Sequence, residues 1–534
     1  MVSTNIAQLA AEAPTTFKQA VTGPDGAQWR AAAQKEYNTA VKMHTWDVIP
    51  RIHLPPGSNV ITVRWVFRRK HNADGVPTEF KARMTPHGNK QVEGVDYYET
   101  YAQVGKYKTL RVLLSIVAHF DLELEQLDVP SAFLNADLEE DIYMELPDGF
   151  KEPGMIVKLK KALYGLKQGP RCWWILVSKF IMEKLKYQRC ISDPCFFYKK
   201  SRSGRTMYLY LFVDDFQTAY HSDDADEWKE LKQLLIDEYQ TKDLGASVWM
   251  LGMRITRDRA KRTIVLDQET YITKALEKFG LNECKIEHTP EQTGVTEATA
   301  PNNALDKPVD QLQYMSMVGT ALYAITSTRI DVAHAVQRRA SRVKAPTNRD
   351  MIAMKRILRY LSGTRALGLK FGGSNNLVDV TTEAFSDADW GSDKADRKSI
   401  SGWIVKLNGS PIAWSAKKQS TVALSTCEAE LYALSEVVKE VLWLQGMLKE
   451  LSLTFVAPTS VYCDNSSTVS ISKTGIKTEK TKHIDIRHNF ITDTETSGAI
   501  KTQWISTNDQ QADILTKPLS QQSFVRFRSM LMTG

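Results

Sequence analysis

The chain has 534 residues, which at roughly 100–200 residues per domain predicts about three to five domains. Hydrophobic residues make up 43% and charged residues 25%, ordinary globular values that exclude a collagen, a mucin or a wholly disordered chain. Lys plus Arg is 69 against Asp plus Glu 62, a net charge of +7 that permits a polyanionic partner without demanding one.

The sequence opens with a small, polar stretch ending in Gly23-Pro24-Asp25-Gly26, read as a loose leader over 1–27 without the basic-then-apolar order of a signal peptide. A helix is expected over 28–43. The β-branched and aromatic run 60–69, the turn residues Asn72-Ala73-Asp74-Gly75 and a return strand over 80–84 predict a hairpin. Residues 109–119 read as a buried helix; no apolar run reaches the roughly 18–20 residues of a membrane span, and 110–120, the nearest, contains Arg111. Strands are expected over 124–129, 207–213 and 216–220. A polar, Pro/Thr/Asn-rich segment over 288–308 reads as a long loop. Two helices follow it, the second starting near Asn348 with Met354, Ile357, Leu358 and Leu361 on one face and Gly363 as its stop. After a loop at 372–380 comes a compact α/β pattern. It has a strand ending at Asp387, hairpin character over 399–414 and a helix opening at Ser425. A short strand then ends at Asp464, and a last helix starts near Ile514-Leu515. The six cysteines are scattered without a C-x-x-C pair, as expected of reduced intracellular thiols rather than a disulfide scaffold or zinc site.

Three acids stand out by context. Asp128 ends a strand, and Asp214-Asp215 separates LYLFV from FQTAY, two apolar runs. Unpaired carboxylates so placed repel one another and lose hydration, at about several kcal/mol each. They are tolerated where they hold divalent cations, or where the turn is simply solvated. QLDVPSAFLNADLEEDIYMELPDGF, KLKKALYGLKQGPRCWW and LYLFVDDFQTAY, in this order and spacing, resemble the reverse transcriptase of copia-type LTR retrotransposons, a likeness running from near Gln28 to the end of the chain. The resemblance implies a polymerase site at Asp128, Asp214 and Asp215. It also implies nucleotide contacts at Lys81, Arg83, Phe133 and Gln168, with Phe133 crowding the sugar 2′ position. Departures from the family pattern fall at Pro130, Ala136, Gly169, Phe212 and the segment Thr85-Pro86-His87-Gly88; none removes a carboxylate.

A second set of acids lies at element ends beyond residue 380. Acids at helix N-termini are common for their fit to the helix dipole. FSDADWGSDKADRKSISGW, LSTCEAELYAL, VYCDN and ISTNDQQADILTKPL, however, resemble the ribonuclease H domain of the same family, which implies Asp387, Glu430, Asp464 and Asp513 as its carboxylates. Asp389 competes with Asp387. Glu428 competes with Glu430 and is read as the partner of Ser425 in a capping box. His483 and His488 are read as structural or RNA-proximal. Between them the two halves hold a basic stretch: residues 332–370 carry ten Lys/Arg against one acid, Asp350. Arg338, Arg339, Arg342, Lys355, Arg356 and Arg359 are expected to track a phosphate backbone there.

The expected fold is an α+β right hand followed by an α/β ribonuclease H-like domain with a mixed five-stranded sheet. The expected divisions are fingers and palm over 28–256, a thumb-like region over 257–330, a basic helical tether over 331–372 and the nuclease-like domain over 373–534. The resemblance implies an RNA-directed DNA polymerase with ribonuclease H activity, and Mg²⁺ (two per site) or Mn²⁺ as cofactor. RNA template, DNA primer, RNA–DNA hybrid and deoxynucleoside triphosphates are the implied partners, with no membrane; the implied location is intracellular, in a cytoplasmic particle and the nucleus. The rival is a catalytically decayed, nucleic-acid-binding relic.

Overall fold

The computed structural model describes residues 13–71, 77–294, 305–373, 379–393, 396–474 and 482–533. These form an α+β right hand and a ribonuclease H-like domain, built on five sheets.

The fingers are a long hairpin, Val63–His71 against Pro77–Pro86, whose turn at Asn72–Gly75 lies outside the described residues. Alternation along the second strand buries Ala82 and Met84 and sends Lys81 and Arg83 to the other face. Pro86 takes the last rung, opposite Val63, and the next residue, His87, donates its N–H to Thr62 at 2.8 Å. A proline at the ladder's end interrupts no interior pairing. The leader is shorter than expected. Thr16 and Gln19 form a capping box at the helix Phe17–Thr22; Ala20 is buried, and the Phe17 ring lies 6.0 Å from Trp65. Residues 13–27 are therefore part of the fingers.

The palm is a six-stranded sheet in the order Lys242–Ala246, Glu123–Asp128, Asp215–Tyr220, Thr206–Phe212, Phe196–Lys200, Gln188–Arg189. Strand Thr206–Phe212 is apolar or aromatic from Met207 to Phe212 because both its faces are covered. Tyr208 and Tyr210 join the core with helix Tyr107–Phe120; Met207, Leu209 and Leu211 join the one with helices Gly169–Glu183 and Ala225–Tyr239.

The thumb region departs from expectation. Strands Trp249–Met250, Met253–Asp258 and Thr263–Asp267 are joined by Gly368–Gly372, which pairs with Thr263–Asp267 after four intervening helices. The stretch expected as a tether thus folds back into the thumb and closes its sheet. Helix Asn348–Gly363 buries Met354, Ile357, Leu358 and Leu361 as its spacing requires.

The last domain is a mixed five-stranded sheet, Ser410–Lys418, Ile400–Leu407, Thr382–Asp389, Thr459–Cys463, Ile500–Trp504. The first three strands are antiparallel and the last two parallel. The long helix Thr426–Glu450 crosses it. The final helix starts at Gln521, later than expected, and Gln511–Leu515 is only a short 3₁₀ turn. Pro518 is the reason: it disfavours helical backbone at Lys517.

Candidate active sites

The first acid cluster is made by strand register. Asp215 lies directly opposite Asp128, and Phe212 opposite Asp215 leaves Val213-Asp214 as a two-residue turn. Val213 has φ of +59°, a strained conformation for a β-branched residue. Its carbonyl accepts from the Trp173 indole at 2.6 Å, and the Asp214 carbonyl from the Val129 N–H at 2.9 Å. The turn is therefore held from both sides. Burial first, and then the charge of Asp214, pushes Asp215 up to about 6.

Tyr164, which the sequence reading did not single out, organises the surroundings. Its hydroxyl donates to Asp214 Oδ2 at 2.9 Å; the Phe133 ring lies 4.2 Å from its own; and the Arg83 guanidinium stands 4.5 Å over its face. Asp128, Asp214, Asp215, Phe133 and Arg83 thus converge, with Lys81 on the same strand as Arg83. Gln168 is placed differently. It is buried, its amide donates to Asp96 O at 2.8 Å and Glu140 at 3.2 Å, and its carbonyl accepts from Gln91 at 3.0 Å. The structure makes it a brace between the loop at Asp96 and the start of helix Gly169–Glu183. A turn motif does not reveal such long-range partners.

The second cluster is tighter. Asp387 lies within strand Thr382–Asp389, Glu430 in the first turns of helix Thr426–Glu450, Asp464 just past strand Thr459–Cys463 and Asp513 in the 3₁₀ turn. Oxygens of Asp387, Asp464 and Asp513 lie within 4.8 Å of one another; Glu430, Cys463 and Asp464 form an overlapping set. Among the described residues no other His, Cys, Asp or Glu trio comes so close. Burial and the Asp387 charge push Glu430 well above the carboxylate range and Asp513 up to about 8; Asp464 rises for the same reasons. Asp389, two residues along the same face, is also raised by burial and by Asp387, and is half-buried. An all-carboxylate set of oxygens that repel one another when empty is the donor chemistry of a hard divalent cation.

Glu428 and Glu430 part company. Glu430 is buried at the cluster and accepts from the Ala388 N–H at 3.2 Å. Glu428 is at the helix start, where its N–H donates to Ser425 Oγ at 3.1 Å and its carboxylate accepts from Leu424 N–H at 2.7 Å. That carboxylate contact reaches one residue beyond the cap. Three further side chains complete the site. Lys517 bridges Asp513 at 2.9 Å and Asp387 at 3.8 Å, Thr516 donates to Asp387, and Thr507 donates to Asp464 at 2.8 Å. Lys517 stands four residues after Asp513, a spacing that could have marked it. His488 is buried with a ring nitrogen 2.8 Å from Ile471 O, a structural contact; the His483 side chain lies outside the described residues.

The basic stretch is not a free polycation. Arg339 is buried against Asp350 at 2.8 Å, Arg338 meets Glu291 at 3.1 Å and Arg356 meets Glu287 at 2.7 Å. Arg349 likewise pairs with Asp306 at 2.9 Å. Glu287, Glu291 and Asp306 come from the preceding loop, outside the window in which the charge was counted. Arg342 and Arg359 are half-buried, and Lys355 is exposed.

Fold and site together define a polymerase-type right hand joined to a ribonuclease H-like domain. Residues 43–293 match the family described as reverse transcriptase (RNA-dependent DNA polymerase). The chain is 37% identical over 96% of its length to the retrovirus-related Pol polyprotein from transposon TNT 1-94 of Nicotiana tabacum, covering 38% of that protein. To the Pol polyprotein from transposon RE1 of Arabidopsis thaliana it is 35% identical over 98% of its length, covering 35% of that protein. A solved foamy viral protease-reverse transcriptase in complex with RNA/DNA hybrid aligns at a TM-score of 0.47 and 12% identity, covering 92% of this chain and 55% of that one. Residues 43–293 are thus similar to the reverse transcriptase family, and the chain is a relative of copia-type retrotransposon Pol polyproteins, spanning little more than a third of their length.

Proposed function

We propose that the chain is an RNA-directed DNA polymerase that also cuts the RNA of an RNA–DNA hybrid. The observation that carries this reading is the pair of separate carboxylate clusters on one chain, each assembled from the ends of strands and helices. Asp128, Asp214 and Asp215 would hold divalent cations at the first, and Asp387, Glu430, Asp464 and Asp513 at the second. When bound, Mg²⁺ or Mn²⁺ would neutralise charge on the attacking and departing oxygens of an in-line phosphoryl displacement.

The chain's own residues do the rest. Tyr164 orients Asp214, and Phe133, held against the Tyr164 ring, is the wall that leaves no room for a ribose 2′-hydroxyl. Arg83, over the same ring, offers a cation to the triphosphate. At the second cluster, Lys517 offsets the Asp387 and Asp513 charges, and Glu430 is fixed by the Ala388 N–H. RNA template, DNA primer and deoxynucleoside triphosphates are the partners of this reading. Primer extension on poly(rA)–oligo(dT) and cleavage of a labelled hybrid, each with Mg²⁺, test it. Extension and cleavage are expected. A folded protein that binds hybrid and performs neither would instead be a decayed, nucleic-acid-binding relic.

A further inference from the structure

Helix Tyr107–Phe120 is buried from Thr109 to His119, because it is covered on one side by the palm sheet and on another by the nuclease-like domain. A cation in such a helix must be fully satisfied. Arg111 is. Its Nε donates to Ile412 O at 2.6 Å, its Nη1 to Thr326 O and Ser327 O at 2.9 Å each, and the guanidinium lies 4.1 Å over the Trp414 ring. Trp414 in turn donates from its indole to Ile325 O at 2.9 Å. One palm side chain therefore ties the end of helix Gln311–Ser327 in the thumb to strand Ser410–Lys418 of the nuclease-like sheet.

A second contact joins the same two bodies at another place. Lys108 Nζ lies 2.6 Å from Glu440 and 3.7 Å from the Trp443 ring centroid, and the Trp443 indole donates to Ser192 O at 3.0 Å. The Glu450 carboxylate accepts from the N–H groups of Ile191 and Ser192 and from the Ser192 hydroxyl. Asp193 ties that loop back to the start of the palm helix, accepting from the Lys106 N–H at 3.1 Å and the Thr109 hydroxyl at 2.5 Å. Glu450 ends the 25-residue helix whose first turns carry Glu430. At 1.5 Å per residue the two glutamates are about 30 Å apart along one rigid rod. The rod has one end in the nuclease-like site and the other clamped to the palm.

We propose that Arg111 and Glu450 are positioning residues that fix the spacing between the two carboxylate clusters. A hybrid engaged at the first would then reach the second at a constant distance behind the primer end. This rests on the function proposed above. One base pair of duplex advances about 3.4 Å, so slack of that size would smear the cut by a nucleotide. Two independent clamps, a planar guanidinium with three carbonyl partners and a carboxylate with three donors, are suited to hold the bodies more tightly than that.

The test uses the full chain with a fluorophore on each body. It measures the interdomain distance, and then the positions of cuts in end-labelled RNA behind a stalled primer. Wild type is expected to give one narrow distance and one tight cluster of cuts. Arg111→Met and Glu450→Gln should each broaden both, cuts spreading over several nucleotides, while synthesis on a DNA template is unchanged. Arg111→Lys, which keeps the charge but not the fork, should fall between. Unchanged cut positions in variants whose distance has broadened would overturn the proposal. If wild type neither extends nor cuts, the proposed function fails. The distance measurement then decides the positioning role alone: unaltered distances in both variants overturn it, and broadened ones support it.

Discussion

A single carboxylate should separate the two proposed chemistries. Asp214→Asn is expected to abolish primer extension, because a neutral amide is a poor ligand for a hard cation, and to leave hybrid cleavage intact; extension at wild-type rate would refute the site. Glu430→Gln should lose most cleavage with the fold retained, whereas Glu428→Gln keeps a side-chain acceptor for the helix start and should cost little. That distinction was legible in the sequence, since residues two apart on a helix differ by about 200°. Lys517 was legible only as a neighbour four residues after Asp513; its reach to Asp387 exists only once the 3₁₀ turn meets the strand. The second cluster's charge balance makes a pH prediction. Asp513 is raised to about 8, and Glu430 and Asp464 also lie above their ordinary range. The stability tied to their protonated forms is complete below about pH 4 and lost as pH rises through about 8. In chelator, melting should fall between pH 6 and pH 9, and Mg²⁺ should restore much of the loss at the higher pH. Asp387→Asn should raise the melting temperature in chelator, by about 2–4 °C for each kcal/mol of repulsion relieved, while abolishing cleavage. Calorimetry at the two pH values, with and without Mg²⁺, checks both.

At the scale of elements, helix Asn348–Gly363 was readable from its apolar spacing and its stop, and the role of its charges was not. Counting cations along 332–370 ignored Glu287, Glu291 and Asp306, which the fold brings in from elsewhere. The consequence divides the arginines from Lys355. Arg339→Ala leaves the Asp350 charge buried without its guanidinium and should cost about 3–5 kcal/mol in urea unfolding. Lys355→Ala should cost almost no stability. If this exposed lysine meets a phosphate, the log–log salt slope of hybrid binding should shallow by roughly 0.9; an unchanged slope would leave it facing solvent. Strand Gly368–Gly372 was missed for a related reason. Its partner, Thr263–Asp267, lies far earlier in the chain, and nothing local to the strand announces the pairing.

Over the whole molecule, the succession of right hand and α/β domain was legible through the motifs that carry the family resemblance, because each motif is local, although strands such as Glu123–Asp128 and Asp215–Tyr220 pair across about 90 positions. Their docking was not: Arg111 and Ile412 lie 301 positions apart. The helix at Tyr107–Phe120 gave one hint: it is buried from Thr109 to His119 even along its polar stripe of Arg111, Ser115 and His119, so no side of that stretch faces water. That feature bears on how the protein can be handled. Cleaving it into a polymerase half and a nuclease half would part helix Tyr107–Phe120 from strand Ser410–Lys418 and open the apolar core they share, Leu407, Ile412 and Ala413 among it. Each fragment would carry a fresh oily scar of the kind that drives precipitation. Neither half is built to stay dispersed by itself: each acts as the other's solubilising chaperone.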